Sequence, residues 1–331
     1  MKIVFSSYAY APSVGGIESV SALLAHEFLS AGHEVRLLTE TPSPGLDARE
    51  FPVVRRPSLT HLRALLRWGD VVFQNNISLR SLLPALLMRK PALVVHQTWV
   101  RDTGGEIDWS SRMKRAMLSR VHNVAISRAI ARDLGIDCEI IGNPYNDAIF
   151  RNETGLRPHP ILFVGRLVSD KGADILLQAV AELRDLTSGV TIIGSGPEEP
   201  VLRALAQELR LEVRFLGASS GSELAQVLNE HQLLVVPSRW AEPFGVVALE
   251  GIACGCAVIG SKDGGLPEAI GPCGSTFPNG DVPALAREIR SVLTDENLRT
   301  RWRDASPVHL RRHQAKTVAA RYLQMLEELT A

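Results

Sequence analysis

The chain has few of the features that mark several large classes of protein. It contains only four cysteines in 331 residues: Cys138, Cys254, Cys256 and Cys273. Their number and irregular spacing exclude a disulfide scaffold and give no zinc-ligand pattern, so we expect small buried hydrophobic side chains. No run approaches the ~18 apolar residues of a membrane span. The opening segment MKIVFSS turns polar at Ser6 and does not resemble a signal peptide, so we expect a cytoplasmic protein.

The chain also lacks a net charge and two well-known motifs. The 36 basic and 36 acidic side chains cancel, which argues against nucleic acid as a partner. The first glycine turn, Gly15-Gly16, is not the GxGxxG of dinucleotide-binding proteins. No two aspartates stand two positions apart, so the Asp-x-Asp motif with which some sugar transferases hold a metal is absent. The sequence therefore predicts neither a bound metal nor a dinucleotide cofactor.

Short apolar runs alternate with amphipathic stretches along the whole chain. The predicted strands are Lys2–Ser7, His33–Glu40, Asp70–Asn75, Ala92–Thr98, His122–Ser127, Pro160–Gly165, Val190–Gly194, Val213–Gly217, Leu233–Ser238 and Ala257–Ser261. Strands this apolar are buried on both faces, as in parallel sheets covered by helices. The sequence predicts an α/β protein with two Rossmann-like, doubly wound parallel sheets.

Breaker residues suggest the domain boundaries. Gly, Pro and Asn are dense between residues 142 and 160, so we expect domains at 1–150 and 151–305. Residues 306–331 have a helical pattern that could pack back on the first domain, and Pro307 suits the start of the last helix. Between Thr41 and Pro57 the pattern shows only Pro/Gly-rich sequence.

In doubly wound sheets, ligands bind at the loops that follow strands. Gly15 and Gly16 open a helix whose free amides suit an anion, although a plain strand-to-helix turn explains them equally well. After the first strand of the second half come Arg166 and Lys171, which suit phosphate oxygens. The chain has only six lysines against thirty arginines, so composition alone does not explain a lysine at position 171. Solvated loop charges are the alternative.

The segment after Leu233–Ser238 carries more chemistry. Glu242 lies in the loop, and Glu250 lies on the helix that Phe244-Gly245-Val246 begins. Backbone amides at a helix start bind an anion, and carboxylates accept hydrogen bonds from sugar hydroxyls. The sequence predicts a site for a ligand that carries both phosphate and sugar.

These motifs together resemble family 4 retaining glycosyltransferases. Two glutamates that flank seven residues, with Phe-Gly between them, match Glu242 to Glu250, and ACGCAVIGSKDGGLPEAI follows. GGIE, GRL…KG, IIGSGPE and RFLG stand upstream in the family's order, over roughly residues 1–290. The resemblance implies a GT-B fold, in which two Rossmann-like domains face each other across a cleft. It also implies retaining transfer of a sugar in polysaccharide or glycoconjugate biosynthesis.

The resemblance implies a UDP- or GDP-linked donor, an acceptor domain and no metal. The acceptor would be a glycan, a lipid-linked molecule or a small molecule. Arg166 and Lys171 would grip the donor diphosphate, Glu250 would bond the ribose, and Glu242 would hold the transferred sugar. The remaining donor-binding positions would be Gly15, Gly16, Gly194, Gly196, Leu216, Phe244, Gly245, Val246 and Val247.

The resemblance also implies a catalytic histidine, His96, at the end of an apolar strand; a satisfied core histidine is the alternative. No carboxylate among Asp102, Glu106 and Asp108 stands out as a nucleophile, so the resemblance favours front-face attack by the acceptor. Tyr10, Trp99 and Trp109 are candidates for acceptor contacts, with packing as the alternative for the two tryptophans. The basic helix Ser110–Val121 could rest on the inner face of a membrane or present a solvated face.

Two other functions fit parts of this pattern. A sugar-nucleotide 2-epimerase of the same fold would need acid–base groups around the sugar, and the sequence offers few. A non-catalytic nucleotide-sugar-binding subunit would not need the intact paired motifs. Incubating the donor alone, and looking for an epimer, separates the first from a transferase.

Overall fold

The structure, a computed structural model, describes residues 1–13, 15–42, 50–101, 108–153, 155–187 and 189–331. They form two compact units. The N-terminal unit comprises Met1–Pro144 and Ala315–Ala331, and the C-terminal unit comprises Tyr145–Gln314. Each unit contains one parallel sheet with helices between its strands, which confirms the predicted fold class. The boundaries between the units fall at 144/145 and 314/315, whereas the sequence predicted them at 150/151 and 305/306.

The N-terminal unit has a seven-stranded sheet in the order β3-β2-β1-β4-β5-β6-β7. Its strands are β1 Lys2–Ser7, β2 Glu34–Thr39, β3 Val53–Arg55, β4 Val71–Asn75, β5 Ala92–His96, β6 His122–Ala125 and β7 Glu139–Ile140. Its helices are α1 Gly16–Ser30, α2 Leu59–Trp68, α3 Leu79–Leu87, α4 Trp109–Met117, α5 Arg128–Leu134 and α13 Ala315–Thr330. The last helix completes this core, because the Tyr322 ring packs on Phe73 of β4 with centroids 5.2 Å apart.

The C-terminal unit has a six-stranded sheet in the order β10-β9-β8-β11-β12-β13. Its strands are β8 His159–Val164, β9 Gly189–Ile193, β10 Glu212–Phe215, β11 His231–Val236, β12 Ala257–Ser261 and β13 Gly274–Phe277. Its helices are α6 Ala173–Ala181, α7 Glu199–Glu208, α8 Gly221–Asn229, α9 Val246–Ala253, α10 Leu266–Ile270, α11 Val282–Thr294 and α12 Glu296–Arg311. The strand order reverses between β8 and β11. The loops after these two strands therefore flank the switch point at which doubly wound sheets bind ligands.

Three short edge strands, β3, β7 and β13, were not predicted from the sequence. β3 lies within the stretch from Thr41 to Pro57 that the pattern showed only as Pro/Gly-rich, and it pairs with β2 through Leu37 and Val53. β13 has the sequence GSTF, and only its last residue is buried. Strands this short and polar carry no apolar run that periodicity could detect.

The predicted position of Pro307 at the start of the last helix is wrong. Pro307 lies inside α12, and α13 begins at Ala315. A proline in a helix lacks the N–H that would bond the carbonyl four residues earlier, here that of Arg303. The Ser306 hydroxyl donates a hydrogen bond of 2.8 Å to that carbonyl instead, so the helix continues through the proline. None of the helices that the structure describes is long and apolar enough to cross a membrane.

Candidate functional site

Two of the predicted site residues meet at the switch point of the C-terminal sheet. Lys171, in the loop after β8, places Nζ 2.5 Å from Oε1 of Glu242, in the loop after β11. The two residues are 71 positions apart in the chain, and their side chains are 22% and 13% exposed. A cation and a carboxylate this poorly solvated interact more strongly than a surface pair. Both side chains remain open enough to meet a ligand.

The Glu242 carboxylate has a second partner that sequence reasoning missed. The Ser238 hydroxyl, which is almost fully buried, donates a hydrogen bond of 2.7 Å to the same Oε1. The Glu242 carbonyl accepts the amide of Gly265 at 2.7 Å, which ties this loop to the one after β12. Glu242 is thus held at both its backbone and its side chain. The available signal was a small polar residue directly after a strand at the ligand-binding edge.

The predicted donor-binding glycines Gly194 and Gly196 allow two loops to touch. A Cβ on Gly194 would lie 1.8 Å from the Gly165 carbonyl oxygen, and one on Gly196 would lie 2.3 Å from that of Leu167. Neither position accepts a side chain without moving backbone. The loop after β9 is therefore packed directly against the loop that carries Arg166.

Arg166 and Leu216 lie at the same edge of the sheet and are exposed. Among the described residues no carboxylate pairs with the Arg166 guanidinium, which is therefore available to an anion. Leu216 follows β10, is 44% exposed, and bonds the Ile192 carbonyl through its amide at 3.0 Å. Apolar surface and an available guanidinium thus lie on the loops after β10 and β8.

The start of α9 presents backbone amides. Gly245 precedes the helix with a φ of 103°, and no side chain caps the helix there. The amides of Val246 and Val247 belong to the first turn, where helix donors lack intrahelical partners. The Phe244 ring turns inward and packs on His313, with centroids 5.5 Å apart, so Phe244 offers a ligand only its backbone.

Glu250 lies one turn further along α9, where it is mostly buried. Burial raises the pKa of its carboxyl to about 7. Within the described part of the chain, no side chain donates a hydrogen bond to this group or forms an ion pair with it. A partly exposed carboxylate without a partner suits hydroxyl donors from a ligand.

Residues 146–308 match the sequence profile of the family described as glycosyl transferases group 1. These residues are a group 1 glycosyltransferase domain. The match starts and ends inside the C-terminal unit, which therefore contains the glycosyltransferase domain.

Among curated proteins, D-inositol 3-phosphate glycosyltransferase of Mycobacterium sp. (strain JLS) is 33% identical over 216 residues. That alignment covers 62% of this chain and 48% of the relative. Glycogen synthase of Mycobacterium tuberculosis (strain ATCC 25618 / H37Rv) is 38% identical over 151 residues, which cover 44% of this chain and 36% of the relative. The chain spans about half the length, or less, of these curated relatives.

Solved structures resemble the whole chain. Anabaena Alr3699/HepE in complex with UDP has a TM-score of 0.84 at 20% identity, covering 99% of this chain and 100% of that one. Sucrose-phosphate synthase from Thermosynechococcus elongatus has a TM-score of 0.77 at 21% identity, covering 99% and 98%. These likenesses, with the two parallel sheets, show a GT-B fold.

The predicted catalytic histidine belongs to the other unit and is fully buried. His96 ends β5, and its Nε2 lies 3.0 Å from Oδ1 of Asn123. The Asn123 amide nitrogen donates to the carbonyls of Leu118 and Val121, so Oδ1 faces the ring as acceptor and Nε2 carries the proton. Burial lowers the pKa of His96 to about 4, so the ring is neutral. Its Nδ1 is an acceptor with no partner in the described residues.

The start of α1 holds the other two predicted donor-binding positions. Gly15 precedes the helix in an extended conformation, and Gly16 is its first residue. The Glu18 carboxylate lies over this turn, 2.6 Å from the position that a Gly15 Cβ would take. An anion at these amides would therefore meet a negative charge unless Glu18 moved.

The acceptor candidates differ sharply in exposure. Tyr10 is fully buried, so its side chain offers an acceptor no surface, whereas Tyr8 in the same loop is 66% exposed. Sequence reasoning missed Tyr8, although it stands directly after β1. Trp109 is 74% exposed and Trp99 is partly buried.

The structure gives no support for a nucleophile among the three carboxylates that the sequence analysis considered. Asp102 and Glu106 lie outside the described residues, and Asp108 caps α4 by accepting the Ser111 amide at 2.7 Å. In the basic segment that follows, Arg115 turns towards the almost buried Asp133, with Nη2 2.8 Å from Oδ2. Among the described residues there is no group of three or more His, Cys, Asp or Glu side chains that could hold a metal ion.

Proposed function

We propose that the protein transfers a sugar from a UDP- or GDP-linked donor to a hydroxyl of a glycan, a lipid-linked molecule or a small molecule. The transfer retains the anomeric configuration and needs no metal ion. The observation that carries this proposal is the Lys171–Glu242 pair at the switch point of the glycosyltransferase domain. The likeness to Anabaena HepE, solved with UDP and with UDP-glucose, supports a nucleotide-sugar donor.

The donor diphosphate would bind Lys171, Arg166 and the amides at the start of α9. Arg166 is unpaired among the described residues, and the Lys171 ammonium has N–H donors beyond the one that Glu242 accepts, which can bond phosphate oxygens. The positive end of the α9 dipole adds to this field. The ribose hydroxyls would donate to Glu250, which lacks any partner of its own in the described chain.

Glu242 would accept hydroxyls of the transferred sugar. Its carboxylate is fixed by Ser238 and Lys171, and both of these partners bond the same oxygen, Oε1. Oε2 therefore stays available for a sugar hydroxyl. A side chain held in this way loses little rotamer freedom when the donor binds.

In the reaction, the bond between the anomeric carbon and the phosphate oxygen breaks, and its electron pair stays on the phosphate. The acceptor oxygen forms the new bond on the same face of the sugar, and its proton passes to the leaving phosphate. The charge that develops on the diphosphate is stabilised by Lys171, Arg166 and the α9 amides. Losing one such preorganised contact commonly costs about 3 kcal/mol of transition-state stabilisation.

His96 is fully buried, so the residues that cover it would have to move before its neutral ring could contact the transferred sugar. Its proton is fixed on Nε2 by Asn123, so Nδ1 can accept one hydroxyl. Acceptor binding would fall to the N-terminal unit, with Trp99, Trp109 and the exposed Tyr8 as stacking surfaces.

The proposal is tested by measuring sugar transfer and donor hydrolysis with a panel of UDP- and GDP-sugars. Lys171→Ala and Glu242→Ala should each lower the rate about 100-fold. Arg290→Ala is the control, because it breaks an exposed Arg–Asp pair on α11 within the same unit. Activity should persist when a chelator replaces divalent ions. Unchanged rates in both site variants would show that the site is assigned wrongly. Formation of an epimer from the donor alone would show that the protein is an epimerase and not a transferase.

A further inference from the structure

Arg239 lies between Ser238 and Glu242 and was not among the predicted site residues. Its guanidinium forms a two-pronged contact with Asp174, with Nη1 2.7 Å from Oδ1 and Nη2 2.5 Å from Oδ2. The same Nη1 donates to the Ser169 carbonyl at 2.9 Å. One side chain after β11 thus binds both ends of the segment 169–174 after β8.

The backbone around Arg239 binds the middle of that segment. The amides of Arg239 and Trp240 both donate to the Asp170 carbonyl, at 2.8 and 3.2 Å. The segment 169–174 contains Lys171, so these bonds fix the backbone on either side of the lysine. They leave the lysine side chain itself to Glu242.

The Arg239–Asp174 ion pair, which we call the clamp, is electrostatically favourable. Burial opposes ionisation of Asp174, but the hydrogen bonds and charge of Arg239 outweigh it and hold the pKa of Asp174 below its ordinary value. Asp174 also lies in the first turn of α6, where a negative charge is stabilised by the helix dipole. The carboxylate is therefore ionised at neutral pH and retains Arg239.

We propose that Arg239 is a positioning residue that sets the place of Lys171 for the donor diphosphate. The inference rests on the proposed role of Lys171 in holding that diphosphate. A lysine has a long flexible stem and binds as a point charge, so its backbone must be fixed if its ammonium is to reach one place reproducibly. The paired guanidinium and carboxylate supply that constraint from outside the ligand's own contacts.

A double-mutant cycle on the full chain tests this, with the dissociation constants of UDP and GDP measured by calorimetry. For the nucleotide that binds, Lys171→Ala should weaken binding about 30-fold. Arg239→Gln alone should weaken it about fivefold. In the Lys171→Ala background, Arg239→Gln should change it less than about twofold, because its effect passes through the lysine. Asp174→Asn should behave like Arg239→Gln.

Arg290→Gln is the matched control, because Arg290 forms an equivalent two-pronged pair with Asp185 in the same unit. It should leave the affinity unchanged while altering melting temperature as much as Arg239→Gln does. An equal effect of Arg239→Gln with and without Lys171 would overturn the inference but leave the proposed function intact. No effect of Lys171→Ala, or binding of neither nucleotide, would overturn the proposed function and the inference with it.

Discussion

Lys171 and Glu250 face opposite electrostatic conditions within one domain. Lys171 has a carboxylate partner 2.5 Å away, whereas Glu250 has no partner among the described residues. A carboxyl that loses water without gaining a cation or hydrogen bond holds its proton to higher pH. That is why the pKa of Glu250 lies near neutrality, and its lack of a partner in the described chain fits the proposed contact with the ribose.

The raised pKa of Glu250 gives a prediction for stability against pH. Its folded pKa of about 7 exceeds the ordinary value of 4.5. Between these values the folded protein binds more protons than the unfolded chain, so stability falls as pH rises through this window. Glu250→Gln removes this term. Its unfolding free energy, measured in denaturant from pH 4.5 to 8, should gain about 3 kcal/mol relative to the wild type.

Glu223→Gln is the control for that measurement, because Glu223 is an exposed residue on α8. Its pH dependence should parallel that of the wild type. If Glu250→Gln also ran parallel to the wild type, the carboxyl would be ordinarily hydrated and its description as a poorly hydrated group without a partner would fail.

Among the elements, the loops after β8 and β11 depend on one close backbone approach. Gly172 has a φ of +68°, and a Cβ there would lie 2.1 Å from the Pro237 carbonyl oxygen. Any side chain would push the turn that carries Lys171 away from the loop that carries Glu242. The glycine therefore links the fold of these loops to the geometry of the site.

Gly172→Ala should destabilise the protein by at least about 2 kcal/mol, because it adds a backbone clash to an unfavourable φ. It should also weaken nucleotide binding. Gly189→Ala is the matched control, since nothing lies within 4 Å of its Cβ position and its φ is ordinary. Denaturant unfolding of both variants measures the difference. Equal stability of the two would show that the loops do not pack as described.

The sequence predicted some apolar elements together with the residues at which they begin and end. β1 and β12 have the predicted bounds, because polar residues close each apolar run. The pairing of Lys171 with Glu242 was also within reach, since both follow strands that flank a switch point. The Arg239–Asp174 clamp was not, because exposed charged residues carry no periodicity and their pairing depends on the three-dimensional approach of two loops.

At the scale of the whole molecule, the chain forms two parallel sheets one after the other, and both have the strand order 3-2-1-4-5-6 within them. The last helix of the chain belongs to the first unit. The order 3-2-1-4-5-6 of the C-terminal sheet places its switch point where the motifs after β8 and β11 lie. The N-terminal sheet has the same order with one further strand, and its own carboxyl edge carries Tyr8, directly after β1, and His96, the last residue of β5. Each unit thus has one carboxyl edge of the kind at which doubly wound sheets bind ligands.

The most direct test of the account is a crystal structure of the protein grown with UDP or GDP and without divalent ions. We expect the diphosphate within about 3 Å of Lys171 Nζ and the α9 amides, with the ribose hydroxyls on Glu250. A nucleotide bound elsewhere, or a diphosphate that binds only through an added metal ion, would contradict the account.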